Sequence, residues 1–279
     1  MNLKNLCIVS LFLIPGFNFA QEKLKYTPSG SAIQVGVLYH NIGSFGAAIE
    51  QYKTVSEGDT NYLMAQYELS LSYNSDGKYT ESLDVIASAM DLGKTPYDQR
   101  FINNKGVALR EMGQLSEAVN VYTEGLKRFP YSTMLYYGRG LVYEKQKAYQ
   151  AAFDDYKQAV KISPFYAFAH YKMGTLLEKA ERPIEGLLCL TQAATINSYT
   201  QLSQLSLDLA ENIAIGKKPE TTISLETGAP EETIQLLEAK LKEELSSDKK
   251  KLINEKIDNK LLQKITQLLS SVKVDKENK

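Results

Sequence analysis

A repeat of 34 residues is the feature that most constrains what this chain can fold into. Small residues recur at the same place in three successive units, at Gly106, Gly140 and Gly174. Larger residues follow each of them three positions later, at Leu109, Tyr143 and Leu177. Two further sets of positions keep the same spacing: Ala118, Ala152 and Gly186, then Tyr122, Tyr156 and Leu190. Self-similarity at such a period indicates a stack of similar units rather than one globular core.

The repeat extends backwards through less regular units, of which the second is two residues longer around Pro96. Five units result, with boundaries at 29–62, 63–98, 99–132, 133–166 and 167–200. Within a unit, apolar residues recur three and four apart over two stretches of roughly a dozen residues, which is typical of amphipathic helices. Each unit is therefore predicted to be a helical hairpin, and the hairpins must stack because one alone cannot bury its apolar face.

Small residues and tyrosines mark where the two helices of a hairpin are expected to touch. Gly140 and Ala152 allow a close approach, and the rings of Tyr143 and Tyr156 fill the adjoining space. This packing accounts for much of the tyrosine content, which is 18 residues against 9 phenylalanines and no tryptophan. Gly113 is expected to take the left-handed backbone conformation that ends a first helix.

These positions resemble the tetratricopeptide repeat (TPR), whose pattern is W-x2-L-G-x2-Y, then A-x3-F, then P. The unit 133–166 shows the pattern as Tyr136-x2-Arg139-Gly140-x2-Tyr143, Ala152-x3-Tyr156 and Pro164. The resemblance implies an all-α fold, a right-handed α-solenoid of about five TPR hairpins, to which apolar spacing in the later sequence adds a capping helix and a C-terminal charged helical segment. Lys105 and Arg139 depart from the pattern, because the family usually has an apolar residue at that position.

The first twenty residues have the composition of an export signal. Lys4 gives a positive start, an apolar run extends from Leu6 to Phe19, and cleavage is expected after Ala20. Residues 21–28 then lead into the repeats, and no membrane span is expected after cleavage. These features predict a protein exported by a Gram-negative bacterium, in the periplasm or secreted.

The composition changes after the last repeat, because residues 200–279 contain no aromatic side chain. The TPR domain is predicted to span 29–216, and Leu202, Leu205, Leu209 and Ile213 predict a capping helix over 201–216. Glycines and prolines indicate a linker over 217–230. Charged amphipathic helices are predicted over 231–279, where the mean apolar spacing of about 3.8 residues favours a helical hairpin over one long coiled coil.

Composition excludes several kinds of chemistry. A net charge of −1 gives no electrostatic footprint for nucleic acid, and two histidines with two cysteines are too few for a zinc site. No cofactor motif occurs, so neither a cofactor nor catalysis is expected. We interpret His40 as a solvated polar residue, His170 as a partly buried packing residue, and Cys189 as a small buried thiol rather than a nucleophile.

The resemblance implies that the first helix of each hairpin lines a concave groove that binds a protein or peptide. Ten residues are candidate contacts: Tyr67, Arg100, Asn103, Asn104, Arg110, Tyr137, Lys145, Phe168, Tyr171 and Lys172. Carboxamides can pair with the backbone of an extended peptide, and flat aromatic side chains can form apolar pockets. The same residue types also occur on solvated helix faces that bind nothing.

The basic residues among these candidates suggest a ligand that is acidic or presents its backbone. The carboxylate clamp of some family members is not expected, because apolar residues or threonine occupy its asparagine positions: Val37, Leu71, Val107, Leu141 and Thr175. We therefore predict a non-catalytic scaffold or adaptor of the cell envelope that binds a partner in the groove. The alternative is a structural or regulatory subunit of an envelope or secretion complex that binds through its C-terminal helices, with the repeats as a spacer.

Overall fold

Pairs of short helices follow one another along the chain. The computed structural model describes residues 28–196 and 201–214, together with Thr222 and Ser224. These residues form eleven α-helices and no strand. The helices are α1 (Pro28–Asn41), α2 (Phe45–Lys53), α3 (Tyr62–Ser75), α4 (Tyr79–Asp91), α5 (Asp98–Glu111), α6 (Leu115–Arg128), α7 (Thr133–Lys145), α8 (Tyr149–Ile162), α9 (Ala167–Lys179), α10 (Pro183–Ile196) and α11 (Gln201–Ala214).

Each odd-numbered helix from α1 to α9 packs against the even-numbered helix that follows it, which gives five consecutive hairpins and confirms the predicted fold class. First helices also contact one another between hairpins, in the pairs α1–α3, α3–α5, α5–α7 and α9–α11. No comparable contact joins the second helices of neighbouring hairpins within the described chain. The first helices therefore lie on the inner, concave side of the stack. We call their shared exposed surface the first-helix face.

The turns inside the hairpins share one backbone conformation. Gly113 has a φ of +79°, in the left-handed region, as its sequence position predicts. In the last two hairpins the equivalent residues are Lys147 and Glu181, with φ of 62° and 54°. Side chains are disfavoured in this region, so these two turns store backbone strain that the glycine turn avoids.

Glycines lie where tyrosine rings fill the space between helices. A Cβ atom on Gly140 would lie 2.5 Å from the Tyr156 ring, which is wholly buried. The ring of Tyr122 is shared between hairpins, because a Cβ on Gly106 would come within 2.4 Å of it and one on Gly138 within 2.6 Å. The prediction that small residues mark close helix approaches is confirmed at these positions.

Arg139, which replaces an apolar residue of the repeat pattern, forms an ion pair inside the fourth hairpin. Its Nε and Nη2 donate to the two carboxylate oxygens of Asp155 at 2.8 Å each, and Nη1 donates to Thr123 Oγ1 at 3.0 Å. The side chains of Arg139 and Asp155 are 17% and 7% exposed. The departure is accommodated because a carboxylate on the second helix neutralises the guanidinium.

At the other end of the stack, α11 packs against α10 and α9. Leu202 and Ser206 are buried, whereas Leu205, which we expected on the buried face, is 45% exposed. The correction follows from the phase of the helix, because Leu202, Ser206 and the partly buried Leu209 form the inner stripe. No helix among the described residues is long and apolar enough to cross a membrane. The predicted signal peptide, the charged segment 231–279 and nearly all of the linker 217–230 lie outside the described residues.

Candidate functional site

Nine of the ten predicted contact residues have side chains that reach the surface at least in part. Arg100, Lys145 and Phe168 are exposed. Six more are partly buried: Tyr67, Asn103, Arg110, Tyr137, Tyr171 and Lys172. All of them lie on α3, α5, α7 or α9. Most of the predicted contact residues therefore lie on the first-helix face, although the interactions they make there differ.

Asn104 is the exception, and its predicted place on the groove surface is corrected. Only 2% of the residue is exposed. Its Nδ2 donates to Ser70 Oγ at 2.9 Å, and its backbone carbonyl accepts from Asn74 Nδ2 at 2.9 Å. These bonds join α3 to α5, so the carboxamide holds two hairpins together and is not accessible to a peptide. Asn103, one position earlier, is only partly buried and keeps its side chain at the surface.

Arg100 lies on a platform of two aromatic rings. Its guanidinium carbon is 5.2 Å from the Tyr67 ring centre and 5.7 Å from that of Tyr97. The two rings stack on each other with centres 6.0 Å apart. Both distances from the guanidinium carbon are within the range of cation–π attraction, which favours this position of the guanidinium. We call Arg100, Tyr67 and Tyr97 the arginine–aromatic stack.

Among the described residues, Arg100 forms neither an ion pair within 4 Å nor a hydrogen bond. Glu68 is near enough to feel the charge of Arg100, yet burial raises the pKa of its carboxyl overall. An arginine without an ion-pair partner is suited to bind a carboxylate, because its parallel N–H groups match the two oxygens. Tyr97 was missing from the sequence prediction, although its place after Pro96, just before a first helix, was a signal for it.

The other basic residues on this face are already paired. Arg110 binds Glu111 at 2.7 Å, and Lys145 Nζ donates to the Arg110 carbonyl at 3.1 Å. Lys172 binds Glu144 at 3.2 Å, and the same carboxylate accepts from a buried tyrosine hydroxyl. Opposite charges therefore alternate along α5, α7 and α9. The basic bias expected from the sequence is corrected, and of the four predicted basic contacts Arg100 alone is unpaired within the described chain.

A second aromatic group lies between α7 and α9. The ring centre of Tyr137 is 5.2 Å from that of Tyr166 and 6.3 Å from that of Phe168, and the last two are 6.1 Å apart. Phe168 is 47% exposed. Burial raises the pKa of the Tyr137 phenol, so it stays neutral and can donate a hydrogen bond. We call Tyr137, Tyr166 and Phe168 the aromatic cluster. Tyr171 instead packs against the buried Leu187–Leu190 core.

The two histidines and the cysteine offer no reactive centre. His40 Nδ1 is hydrogen-bonded to Ser72 Oγ at 2.7 Å, but Ser72 is wholly buried and cannot reach a substrate. His170 is 5% exposed and its Nε2 bonds the Pro164 carbonyl at 2.9 Å, in keeping with a packing role. Burial raises the pKa of the Cys189 thiol to about 12, so the nucleophilic thiolate is disfavoured. Residues 28–196 and 201–214 bring together no group of three or more potential metal ligands.

Comparison with known proteins agrees with the repeat architecture. The family model of the tetratricopeptide repeat matches residues 103–167. TTC0263, a thermophilic TPR protein of Thermus thermophilus, is 18% identical over 65% of this chain and 98% of its own, with a TM-score of 0.56. PilF of Pseudomonas aeruginosa is 17% identical over 67% and 89%, with a TM-score of 0.52. No curated protein matches the chain.

Similarity to solved structures at 17–18% sequence identity establishes the fold but does not identify the ligand. TPR proteins generally bind protein or peptide partners, and the fold is typically non-catalytic. The described helices therefore pack as consecutive hairpins like those of tetratricopeptide-repeat solenoid proteins, and residues 103–167 match the tetratricopeptide repeat model.

Proposed function

We propose that this chain is a non-catalytic scaffold of the bacterial cell envelope that binds an extended segment of a partner protein along its first-helix face. The observation that carries the proposal is Arg100, which lies over the rings of Tyr67 and Tyr97 and forms no ion pair or hydrogen bond within the described chain. A cation kept in place without a partner gains more from a ligand carboxylate than Lys145 or Lys172, which would first have to leave an existing pair.

The aromatic cluster is the second point at which the partner's segment is anchored in this proposal. Phe168 and its neighbours offer a flat apolar surface on α7 and α9, while the arginine–aromatic stack lies on α3 and α5. Successive first helices are separated by roughly 8–10 Å, so the two anchors are roughly 16–20 Å apart. An extended peptide rises about 3.3 Å per residue, so the ligand would carry a carboxylate and a large apolar side chain about five or six residues apart.

A pull-down from the envelope fraction tests this proposal. Arg100→Glu and Phe168→Ala should each lose the captured partners, because one reverses the charge of the stack and the other removes the exposed ring of the cluster. Two control variants make the same kind of substitution away from the first-helix face. Lys127→Glu reverses a charge on a second helix, α6. Phe165→Ala removes a ring in a turn, where Phe165 is 81% exposed. Partners retained by both test variants would contradict binding on this face.

The C-terminal segment provides a further control. Deleting residues 217–279 should leave partner binding intact if the first-helix face is the binding surface. Loss of every partner in that variant would favour the alternative in which the C-terminal helices bind and the repeats act as a spacer. The export signal is tested separately, because N-terminal sequencing of the protein from a periplasmic fraction should begin at Gln21.

A further inference from the structure

Among the described residues, no hairpin precedes α1 to cover it as the preceding hairpin covers each later first helix. Two residues after the small residue of each unit, the later hairpins have Ser72, Ala108, Val142 and Leu176, and all four are 0% exposed. The preceding hairpin buries them. The equivalent residue of α1 is Leu38, which is 66% exposed. Leu38 therefore occupies an interface position whose partner is missing from the described chain.

A second position shows the same contrast. Five residues before the small residue, the later hairpins have Ala65, Phe101, Leu135 and Ala169, again at 0% exposure. Ser31 of α1 is only partly buried. One turn beyond Leu38, Ile42 is 73% exposed and extends the apolar area. We call Ser31, Leu38 and Ile42, with the surface between them, the α1 face.

The chemistry of the α1 face suits contact with its own copy. Helix α1 contains no aspartate, glutamate, lysine or arginine, although such residues make up 23% of the whole chain. Two copies related by a twofold axis bring identical surfaces together, and a residue on the axis meets its own copy, so a charged residue at the position of Leu38 would face its like. An uncharged helix avoids that repulsion, and it buries apolar side chains without stranding an ion.

The opposite end of the described helices is a poor complement to this face. Helix α11 exposes Gln204 and Asp208, joined by a hydrogen bond of 2.7 Å, beside the partly exposed Leu205. Head-to-tail stacking would place the Asp208 carboxylate against an uncharged apolar helix, which costs free energy. A head-to-head contact avoids this cost and closes after two copies instead of growing into a filament.

We propose that the α1 face is a homodimer interface, at which two copies of this chain pack head to head around Leu38. Each copy contributes essentially one helix, so the buried area falls short of the ~1,600 Å² of a standard interface. The association is therefore weak and reversible, with a dissociation constant on the order of 1–100 µM. This interface lies on α1 and includes none of the residues of α3, α5, α7 and α9 that are proposed to bind the partner, so the dimer would carry two copies of that binding surface.

Sedimentation equilibrium of the mature full-length protein tests the proposal. Protein concentrations from about 1 to 200 µM bracket the expected dissociation constant. The wild-type protein should shift from monomer to dimer across this range. Leu38→Glu should weaken the association at least tenfold, since it places two carboxylates at the centre of the contact. Leu92→Glu is the matched control, because Leu92 is also an exposed leucine, at 51%, and lies outside the α1 face.

Circular dichroism confirms that each variant is folded, and Ile42→Glu repeats the test if Leu38→Glu loses helix. A dimer that survives Leu92→Glu and dissociates with either α1 variant supports the proposal. A monomer at every concentration overturns it, because something other than a second copy then covers the α1 face. A dimer unaffected by both α1 variants, or a continuing series of larger oligomers, also overturns it.

Discussion

Removing the guanidinium from the Arg139–Asp155 pair should destabilise the fourth hairpin strongly. Arg139→Met keeps an unbranched stem of similar length but deletes all three hydrogen bonds that the guanidinium donates. Asp155, with a side chain only 7% exposed, would then be a buried carboxylate without a partner. Breaking a buried pair in this way costs about 3–5 kcal/mol, and the partial exposure of Arg139 places the expected loss near the lower value.

Replacing both partners should restore most of that stability. Arg139→Met restores an apolar residue at a position where the repeat pattern usually has one, Asp155→Leu removes the carboxylate that would otherwise lack a partner, and replacing both members of a buried pair is often neutral. The double variant should lie within about 1 kcal/mol of wild type, and since Arg139→Met alone costs about 3 kcal/mol, the coupling free energy of the cycle should be at least about 2 kcal/mol. Lys127→Met, which breaks the exposed pair with Glu124, is the control and should cost less than about 1 kcal/mol.

The loss should also depend on pH. Burial raises the pKa of the Asp155 carboxyl, and removing Arg139 raises it further. When the pKa of a carboxyl is higher in the folded protein than in the unfolded chain, the folded state is destabilised as the pH rises above the unfolded-chain pKa of about 3.9. The deficit of Arg139→Met relative to wild type should therefore be smaller at about pH 5 than at about pH 8.

Urea denaturation followed by circular dichroism measures these free energies of unfolding. Hydrogen exchange of peptides within residues 133–162 locates the effect, because repeat stacks can open locally. The reasoning would be refuted if Arg139→Met cost less than about 1 kcal/mol, or if the double variant lost the sum of the two single losses.

Three other predictions concern stability and can be measured by the same denaturation assay. Gly140→Ala should cost about 1–3 kcal/mol because its Cβ would overlap the Tyr156 ring, whereas Gly46→Ala, with open space around it, should cost nothing. Lys147→Gly should gain up to about 1 kcal/mol by relieving the positive φ; an unchanged midpoint would contradict this. Burial lowers the pKa of His170, so stability should fall as pH drops below about 6.5, and His170→Gln should flatten that profile.

The sequence predicted the hairpins well because the repeat records contacts that are local or one period apart. Gly140 and Tyr156 lie in one hairpin, and their sizes are complementary wherever the repeat occurs. The period also placed the turn at Gly113 and the ends of α6 and α8 before Pro130 and Pro164. Residues at equivalent positions of successive units make equivalent contacts, so the repeat period was sufficient to predict the helical hairpins.

The candidate site was harder to predict because pairing between side chains does not repeat. Asn103 and Asn104 are adjacent and chemically identical, yet a rotation of one residue along α5 turns one outward and buries the other. Lys145 and Arg100 are both basic, but only Lys145 finds a carboxylate, which Glu111 supplies from the neighbouring hairpin. Such differences depend on rotamers and on residues about 34 positions away, which no local pattern specifies.

The shared ring of Tyr122 has a mechanical consequence. The ring is held between Gly106 and Gly138, whereas the residues equivalent to Gly138 in the second, third and fifth hairpins are Glu68, Asn104 and Lys172. Sliding the third hairpin past the fourth would drive a rigid ring into a helix backbone. Under a pulling force, this boundary should therefore resist shear more than the others and part late, so that residues 99–166 stay together as the stack comes apart around them.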